Sequence, residues 1–515
     1  MARAFGEPPS ASARPPAPLA GRKALLFALM TALWIAAGLF GRDPWKPQET
    51  EFAVLVAAQN GALPDLPDAA RPRTPPTWYL DLAAASARLF SPPLSSHEGA
   101  RIINALLLAG GFAFIGLAAG GGARGGWMAV LLTLGMTGFV VRAHLLNVAA
   151  AAFFGAAMLL WGALRLRRHA LAGGGFVGGA AVFLFAAASP SAALFAAGGV
   201  FAALSRAEWR RPSVVAGLTA AAVFFVPLAL LSPAAETAAA AFAPKNDWTV
   251  AADLARLSAW VLFPTLPLAA AALWRRRNTD ATMFLCMTMT AAAAAHFLLF
   301  GGREEDLFWM MPPLAVFAAR GLESLPDDCA VILDWFAVIV AGACCVGGMW
   351  AAWFLWQSGV GAEWAAEWFD RFPLLRTPQI SAWTAVPAAL ITISWIGLAA
   401  NFGRSNERAI LNWSCGVTVA WCVFNLLWTP VLDSGKSYRR TAAAVLAASG
   451  GECVSASSSA GATAAQLYYF GVAAGDDSCR WRLQRDSETA PAGFAREWTG
   501  GRYGAQNYVL YRKII

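Results

Sequence analysis

Acidic and basic side chains are concentrated between residues 41 and 76 of an otherwise apolar chain. Three carboxylates within nine positions are flanked there by four basic side chains: Asp43, Glu49 and Glu51, with Arg42, Lys46, Arg71 and Arg73. A carboxylate can accept a proton from a hydroxyl, and guanidinium groups can bind a phosphate and stabilise the charge that it gains on leaving. The segment therefore predicts a transfer reaction in which a hydroxyl attacks and a phosphate leaves.

Other polar residues next to apolar segments are candidates for the same site. They are Arg142, His144, Lys245, Arg303, Glu304, Glu305 and Asp306. Charges at the ends of membrane spans are typical of functional sites when they face the helix bundle, whereas those near lipid headgroups have only an interfacial role. Each residue taken alone fits both descriptions, and the cluster as a whole favours a site.

Several kinds of chemistry have no support in the sequence. The four histidines are not paired at helical spacing and no CxxC pair occurs, so a zinc site is not predicted. The glycine-rich phosphate loops, the dinucleotide fingerprint and the nucleophile elbow are all missing. Nucleotide-dependent chemistry is therefore not expected.

The composition predicts a membrane protein that crosses the bilayer many times. The 515 residues are 58% hydrophobic and only 14% charged, with a mean hydropathy of +0.51, whereas soluble domains carry about a quarter charged residues. The net charge of +8 comes from short basic clusters between apolar segments. Such clusters are typical of cytoplasmic loops, and they argue against a nucleic-acid partner.

A span needs about 20 apolar residues, and this rule predicts about thirteen transmembrane helices. They lie near 23–41, 100–121, 124–141, 144–164, 172–188, 190–206, 213–232, 252–274, 279–300, 306–322, 331–357, 381–401 and 408–429. With the N-terminus inside, the basic short loops fall on the cytoplasmic side. The same count places the 41–99 loop, the 233–250 loop, the 358–380 loop and the C-terminus outside.

The predicted fold is an all-α polytopic membrane protein with a small α/β domain on its outer face. Residues 1–22 are expected to be a disordered cytoplasmic tail, 23–430 the transmembrane domain, and 431–515 the α/β domain. The first outer loop, 42–99, is expected to carry an interfacial helix over Thr77–Phe90, with a second over Glu363–Leu375 in a later loop. Cys453 and Cys479 either form a disulfide in an oxidising compartment or remain two half-buried thiols.

Five segments in order resemble the GT-C glycosyltransferases that use polyprenyl-phosphate sugars, in the branch of the protein O-mannosyltransferases and the lipid A aminoarabinose transferase. The segments are DPWKPQETEFA, RTPPTWYL, HEGARIINALL, RAHLLNVAAAAFF and REEDLFWMMPPLAVFAARGL. The resemblance covers most of the chain and matches the thirteen-span layout. It implies a GT-C-like fold in a bacterial inner membrane, with the N-terminus cytoplasmic and the C-terminal domain periplasmic.

The resemblance also implies a reaction and its site. A sugar would leave undecaprenyl phosphate or a similar lipid carrier, with inversion, for a hydroxyl of lipid A, another glycan or a protein, in a monomer without a cofactor. By position, Glu49 matches the acid of the first-loop motif. Arg303 resembles the basic residue near the donor phosphate, with Arg142 and Lys245 as further phosphate contacts. Further candidates for contact with the phosphate or the substrate are Arg73, Glu51 and Asn147.

The sequence departs from the family pattern at three expected carboxylates. Gln48 replaces the Asp of the loop motif, Arg73 and Thr74 replace the Glu and Lys before the double proline, and Asn147 replaces an Asp at the fourth span. A divalent metal is therefore not expected, because oxygen-ligand sites need negative charge. Either Glu49 or Asp43 acts as the base with arginines at the phosphate, or the protein has lost catalysis. We favour the first because Arg73 suits a metal-free phosphate site.

A transporter or flippase of a lipid-linked sugar is the main alternative from another class. Transporters commonly contain internal repeats and broken helices near the membrane midplane. The sequence shows no repeat, and its polar residues gather at the outer rim. These observations favour an enzyme over a transporter. A third alternative, a catalytically inactive GT-C-like scaffold, is supported only by the missing acids.

Overall fold

The computed structural model describes most of the chain. The described residues are 21–45, 48–63, 66–71, 77–120, 124–232, 234–242, 249–275, 279–322, 327–359, 372–376, 381–401, 406–502 and 506–514. Residues 1–20 of the predicted tail and residues 363–371 of the predicted interfacial helix Glu363–Leu375 lie outside these ranges.

Most of the described residues form one helical bundle. Its first helices are Gly21–Ala36 (α1), Gln48–Gln59 (α2), Trp78–Phe90 (α3), Ser96–Ala119 (α4), Arg124–Leu134 (α5), Thr137–Ala143 (α6), Ala149–Leu166 (α7), Ala170–Phe183 (α8), Pro190–Ala202 (α9) and Pro212–Leu230 (α10). They are followed by Ala234–Ala241 (α11), Thr249–Val261 (α12), Thr265–Arg275 (α13), Ala281–Phe300 (α14), Met311–Gly321 (α15), Asp327–Phe336 (α16), Gly348–Ser358 (α17), Ala382–Asn401 (α18) and Asn406–Lys436 (α19). A π-helical segment, Ala337–Gly347, joins α16 to α17.

The bundle is that of a multi-pass membrane protein. Within the described residues, eight helices are long and apolar enough to cross a membrane, and two bent helix pairs raise the number to ten. Two shorter apolar helices, Ala24–Ala36 and Pro190–Ser205, also coincide with predicted spans. The predicted span at 306–322 contains the 3₁₀ segment Glu304–Met310 and only eleven α-helical residues. Thirteen spans therefore remain a prediction.

Two predicted spans are bent, not straight. The break between α5 and α6 turns the chain by 75°, and the break between α12 and α13 turns it by 100°. The two breaks lie against each other, because the Thr137 backbone N–H donates to the Phe263 carbonyl (3.2 Å) and the Thr265 hydroxyl donates to the Leu132 carbonyl (2.9 Å). Each broken helix thus satisfies backbone groups that the other one exposes, as buried backbone requires.

Small residues let the bundle helices approach closely. A Cβ on Gly174 of α8 would lie 2.5 Å from the Gly217 carbonyl oxygen of α10, and a Cβ on Gly111 of α4 would lie 2.4 Å from the Phe153 ring of α7. Small residues at helix interfaces are how membrane helices gain van der Waals contact when lipid supplies no hydrophobic driving force between them.

The C-terminal domain has the predicted α/β composition. It contains helices Arg439–Ser449 (α20) and Gly461–Tyr469 (α21) and strands Val454–Ala456 (β1), Trp481–Arg485 (β2), Phe494–Arg502 (β3) and Gln506–Lys513 (β4). The strand order is β1-β2-β4-β3, with β1 parallel to β2 and the other pairs antiparallel. The three-residue β1 was not predicted, and α19 continues to Lys436, beyond the predicted boundary at 430. A disulfide joins Cys453 and Cys479.

Candidate functional site

The chain leaves α1 through a tight turn that carries the first charged residues of the outer loop. Gly38 has φ +83°, and a Cβ there would lie 2.6 Å from the Asn425 side-chain oxygen of α19, so both space and backbone conformation require glycine. The turn directs Arg42 inward, where its Nε donates to the Gly38 carbonyl (2.7 Å). Arg42 is consequently buried, with 3% of its surface exposed.

Glu49, the predicted general base, lies at the start of α2 and is fully buried. The two guanidinium groups of Arg42 and Arg101 bind its carboxylate: Arg42 donates from Nη1 to Oε2 (2.7 Å) and from Nη2 to Oε1 (3.1 Å), and Arg101 donates from Nε to Oε1 (2.9 Å). The backbone N–H groups of Trp45 (2.8 Å) and Leu146 (3.1 Å) complete its partners. We call Arg42, Glu49 and Arg101 the buried charge network.

These contacts favour a structural role for Glu49 over the predicted catalytic one. Burial alone would raise the pKa of Glu49, but the charges and hydrogen bonds of Arg101 and Arg42 outweigh it and lower the pKa to about 2. A carboxylate offers about four lone-pair positions, and five hydrogen bonds already occupy them. Glu49 therefore has neither the access nor the basicity that proton transfer from an acceptor requires.

Arg101, in the first turns of α4, is the central residue that the sequence interpretation did not single out. It is 0% exposed, and besides Glu49 it donates to the carbonyls of Leu39 (3.2 Å), Arg42 (2.9 Å) and Asp43 (3.1 Å). Arg101 thus binds three carbonyl groups of the turn after α1 and holds that turn in place. A charged residue inside an apolar span was the sequence signal that could have identified it.

Asp43, the second predicted acid, fixes the C-terminal domain to the first outer loop. Arg439 donates to both of its oxygens, from Nε at 3.1 and 2.9 Å, and the Ser437 hydroxyl donates to Oδ2 (2.7 Å). Burial raises the pKa of Asp43, but the hydrogen bonds from Arg439 and Ser437 and the Arg439 charge hold it below the ordinary value. Asp43 is therefore occupied as an ion-pair partner, although its carboxylate is 12% exposed.

Three more contacts connect the loop with the end of α19 and with the C-terminal domain. The indole Nε1 of Trp45 donates to Oδ1 of Asp433 (2.6 Å), whose Oδ2 accepts from the Asp43 backbone N–H (3.1 Å). The His97 ring Nδ1 lies 2.8 Å from the Tyr469 hydroxyl of α21. The partners in these contacts are more than 370 positions apart in the chain, so local sequence patterns could not predict them.

A second group of charges, more open to solvent, lies beside the start of α2. Arg142, near the end of α6, donates from Nε to the Glu304 carboxylate (2.8 Å), and its Nη1 lies 3.6 Å from Glu305 Oε1 and 3.4 Å from the Gln48 side-chain oxygen. The Arg142 and Glu304 side chains are 30% and 32% exposed. We call Gln48, Arg142, Glu304 and Glu305 the rim cluster.

The turn after α6 holds Arg142 in this position. The Asn147 side chain donates to the Arg142 carbonyl (3.1 Å) and accepts from the Ala149 backbone N–H (2.8 Å), so it stabilises the turn and the start of α7. Asn104 of α4 donates to the Leu145 carbonyl (2.7 Å) and accepts from the Tyr79 hydroxyl (2.8 Å). The fully buried His144 contacts the Val140 and Trp34 carbonyls and so has a packing role.

The remaining predicted site residues divide into three cases. Arg303 is exposed and begins the segment that carries Glu304 and Glu305, so it lies beside the rim cluster. Glu51 is half-buried on α2, one turn from the cluster. Arg73 and Lys245 lie outside the described residues.

The side chains at the metal positions implied by the family resemblance do not fit a divalent cation. Gln48 contacts Arg142, Asn147 uses its oxygen for the Ala149 N–H, and both oxygens of Glu49 bind guanidinium groups. Hard cations need several free and mostly charged oxygens. No group of three or more His, Cys, Asp or Glu side chains in the described part of the chain is arranged to hold a metal ion.

The helical bundle with a small mixed sheet at its C-terminus is a GT-C fold. The chain is similar over 96% of its length to 98% of ArnT from Cupriavidus metallidurans bound to undecaprenyl phosphate, with a TM-score of 0.60 and 14% sequence identity. The apo state of the same ArnT gives a TM-score of 0.59 at 14% identity, over 95% of this chain and 98% of that one. No family model matches the sequence, and no curated protein matches it.

ArnT is a lipid A aminoarabinose transferase, so the likeness falls within the branch that the sequence motifs resemble. A weaker likeness, with a TM-score of 0.42 and 16% identity, covers 83% of this chain and 43% of the arabinosyltransferase EmbB from Mycobacterium smegmatis. At these identities the comparisons establish the fold, and the activity has to be argued from the site.

We expect Glu49→Gln to destabilise the protein as well as to inactivate it. The substitution leaves two guanidinium groups buried without a counter-charge, and breaking a buried ion pair costs about 3–5 kcal/mol. Thermal unfolding of the purified protein in detergent, together with the yield of monodisperse protein, measures this loss. Glu51→Gln on the same helix is the matched control and should have a much smaller effect. A Glu49→Gln protein that is as stable as wild type but inactive would instead restore Glu49 as the base.

We expect the docking of the C-terminal domain to weaken in acid. The pKa of Asp43 is lowered in the folded protein, so its ion pair with Arg439 stabilises docking above the unfolded pKa and is lost as pH falls through the folded value. The protection factors of the amides of residues 439–449, which correct for the pH dependence of intrinsic exchange, should therefore fall towards the low end of the pH range. Arg439→Ala and Asp43→Asn should show fast exchange already at neutral pH, and wild-type exchange in either variant would rule out this ion pair as the anchor.

Proposed function

We propose that this protein is a glycosyltransferase that moves a sugar from a polyprenyl phosphate, such as undecaprenyl phosphate, to an acceptor hydroxyl at the outer face of a bacterial inner membrane. The observation that carries the proposal is the rim cluster of a GT-C bundle: the Glu304 and Glu305 carboxylates meet Arg142 beside Gln48 of the first outer loop, and Arg303 adjoins them in the chain. The likeness to ArnT bound to undecaprenyl phosphate supports a lipid-phosphate donor. The acceptor would be lipid A, another glycan or a protein.

The proposed roles follow from charge and exposure. Arg303 is exposed beside the cluster, so its guanidinium is available to bind a phosphate bidentately. Arg142, Arg73 and Lys245 are further candidate phosphate contacts. Guanidinium groups in place of a metal ion would stabilise the charge of the leaving lipid phosphate. Glu51 is a candidate contact to the sugar, while Asn147 supports the site by holding the turn that carries Arg142.

One observation, the two broken helices, favours the transporter alternative, because substrate sites of transporters often lie at such breaks. The backbone groups at these breaks are nevertheless occupied by protein. The Trp413 indole donates to the Gly135 carbonyl (2.7 Å), and the Thr137 N–H donates to the Phe263 carbonyl (3.2 Å). A break sealed in this way is not shaped to bind a substrate, so we favour the enzyme.

The direct test is incubation of the purified protein, in nanodiscs, with a panel of undecaprenyl-phosphate sugars and lipid A. Mass spectrometry would follow free undecaprenyl phosphate and glycosylated acceptor. Release of lipid phosphate with transfer of the sugar supports the proposal. Movement of the donor across a proteoliposome membrane without release would establish the transporter, and donor binding without either event would establish an inactive scaffold.

We expect Arg303→Ala to weaken binding of undecaprenyl phosphate itself by about 10- to 100-fold, because a charge-assisted hydrogen bond contributes about 1.5–3 kcal/mol. Binding to protein in nanodiscs is the measurement, and acceptor affinity should change little. Arg496→Ala, which removes an exposed arginine of β3, is the matched control. An equal loss of affinity for donor and acceptor would make Arg303 a structural residue.

A further inference from the structure

An inverting transfer needs a carboxylate that can take the acceptor proton, and the two carboxylates of the first outer loop that were predicted for this task are engaged elsewhere. Glu49 is saturated in the buried charge network, and Asp43 holds the C-terminal domain. The family pattern places a third acid at position 48, where this chain has glutamine. A base for this chain must therefore be a carboxylate of the outer rim other than these two.

The geometry points to Glu305, in the 3₁₀ segment before α15, as the general base of this protein, an assignment that rests on the proposed glycosyl transfer. Its side chain is 11% exposed, and it lies in the rim cluster, where its partner Arg142 also contacts Gln48. Arg142 thus joins Gln48, at the position where the family pattern has a carboxylate, to the two carboxylates of the segment before α15.

Glu305 and Glu304 differ in how their carboxylates are hydrogen-bonded. Glu304 accepts a hydrogen bond from Arg142 Nε at 2.8 Å and is 32% exposed, so it is a solvated ion-pair partner. The Oε1 atom of Glu305 is buried and accepts no hydrogen bond from the described residues, since Arg142 Nη1 is 3.6 Å away. A buried carboxylate oxygen without a donor is unfavourable. A substrate hydroxyl that enters the cluster would supply that donor.

Arg142 serves this carboxylate as a positioning residue. Its guanidinium lies between Glu304, Glu305 and Gln48 and so holds the three side chains in one cluster. The segment that carries Glu305 begins after Gly302, whose φ of +122° few other residues adopt. Arg303 follows immediately, so one rigid segment would present both the phosphate-binding arginine and the base.

The step balances within the proposed reaction. The acceptor oxygen attacks the anomeric carbon and transfers its proton to Glu305, and the bond from that carbon to the phosphate oxygen breaks with its electron pair. The lipid phosphate leaves carrying the added negative charge, which Arg303 stabilises. Glu305 then returns its proton to water.

The experiment compares Glu305→Gln with Glu304→Gln as a matched pair, in the donor and acceptor assay with full-length protein in nanodiscs. We expect Glu305→Gln to lower kcat by about 10²- to 10⁴-fold, with undecaprenyl phosphate binding and thermal unfolding close to wild type. Glu304→Gln should have the smaller effect on kcat. Formate should restore part of the activity of Glu305→Ala as an external base, and it should not stimulate Glu304→Ala.

Each remaining outcome counts against the inference. If the wild-type protein transfers the sugar and Glu305→Gln is equally active, the assignment of the base is wrong and the proposed function is still supported. A larger loss in Glu304→Gln, or loss of undecaprenyl phosphate binding in Glu305→Gln, would make Glu305 a structural residue. A wild-type protein that binds undecaprenyl phosphate but turns over no donor overturns both the function and the base.

Discussion

The buried pairing of Glu49 with Arg42 and Arg101 is the interaction on which the end of the bundle next to the C-terminal domain depends. It joins the turn after α1, the start of α2, the first turns of α4 and the turn after α6 through one carboxylate. Removing three charges from water is costly, and such a network is tolerated only when hydrogen bonds satisfy every remaining proton. Here the carbonyls of Gly38, Leu39, Arg42, Asp43 and His144 accept hydrogen bonds from the two guanidinium groups, in addition to those that Glu49 accepts.

This network gives the loop a fixed shape, and the two other features of the outer face build on it. On one side Asp43 and Trp45 hold the end of α19 and the C-terminal domain through Arg439 and Asp433. On the other side Gln48, the neighbour of Glu49, contacts Arg142 in the rim cluster. A single rigid loop therefore orients both the cluster and the domain beside it, which is the kind of support that a binding site needs to hold its side chains in place.

The replacement of the family's carboxylates is explained by the same arrangement. Both oxygens of Glu49, the acid next to Gln48, bind buried arginines and are not free to hold a metal ion. Negative charge appears instead on the segment Glu304–Met310, where Glu304 and Glu305 face Arg142.

The sequence by itself determined the class of fold, because apolar segments of membrane length and a polar C-terminal segment are local patterns. It also identified the first outer loop and Glu49 as important, since a dense group of charges in an apolar chain is conspicuous. Only the tertiary structure decided what those charges do. Arg101 is 52 residues from Glu49, and Arg439 is 396 residues from Asp43. Whether a carboxylate is free to act as a base or is neutralised by a buried arginine depends on such distant partners, which no local pattern encodes.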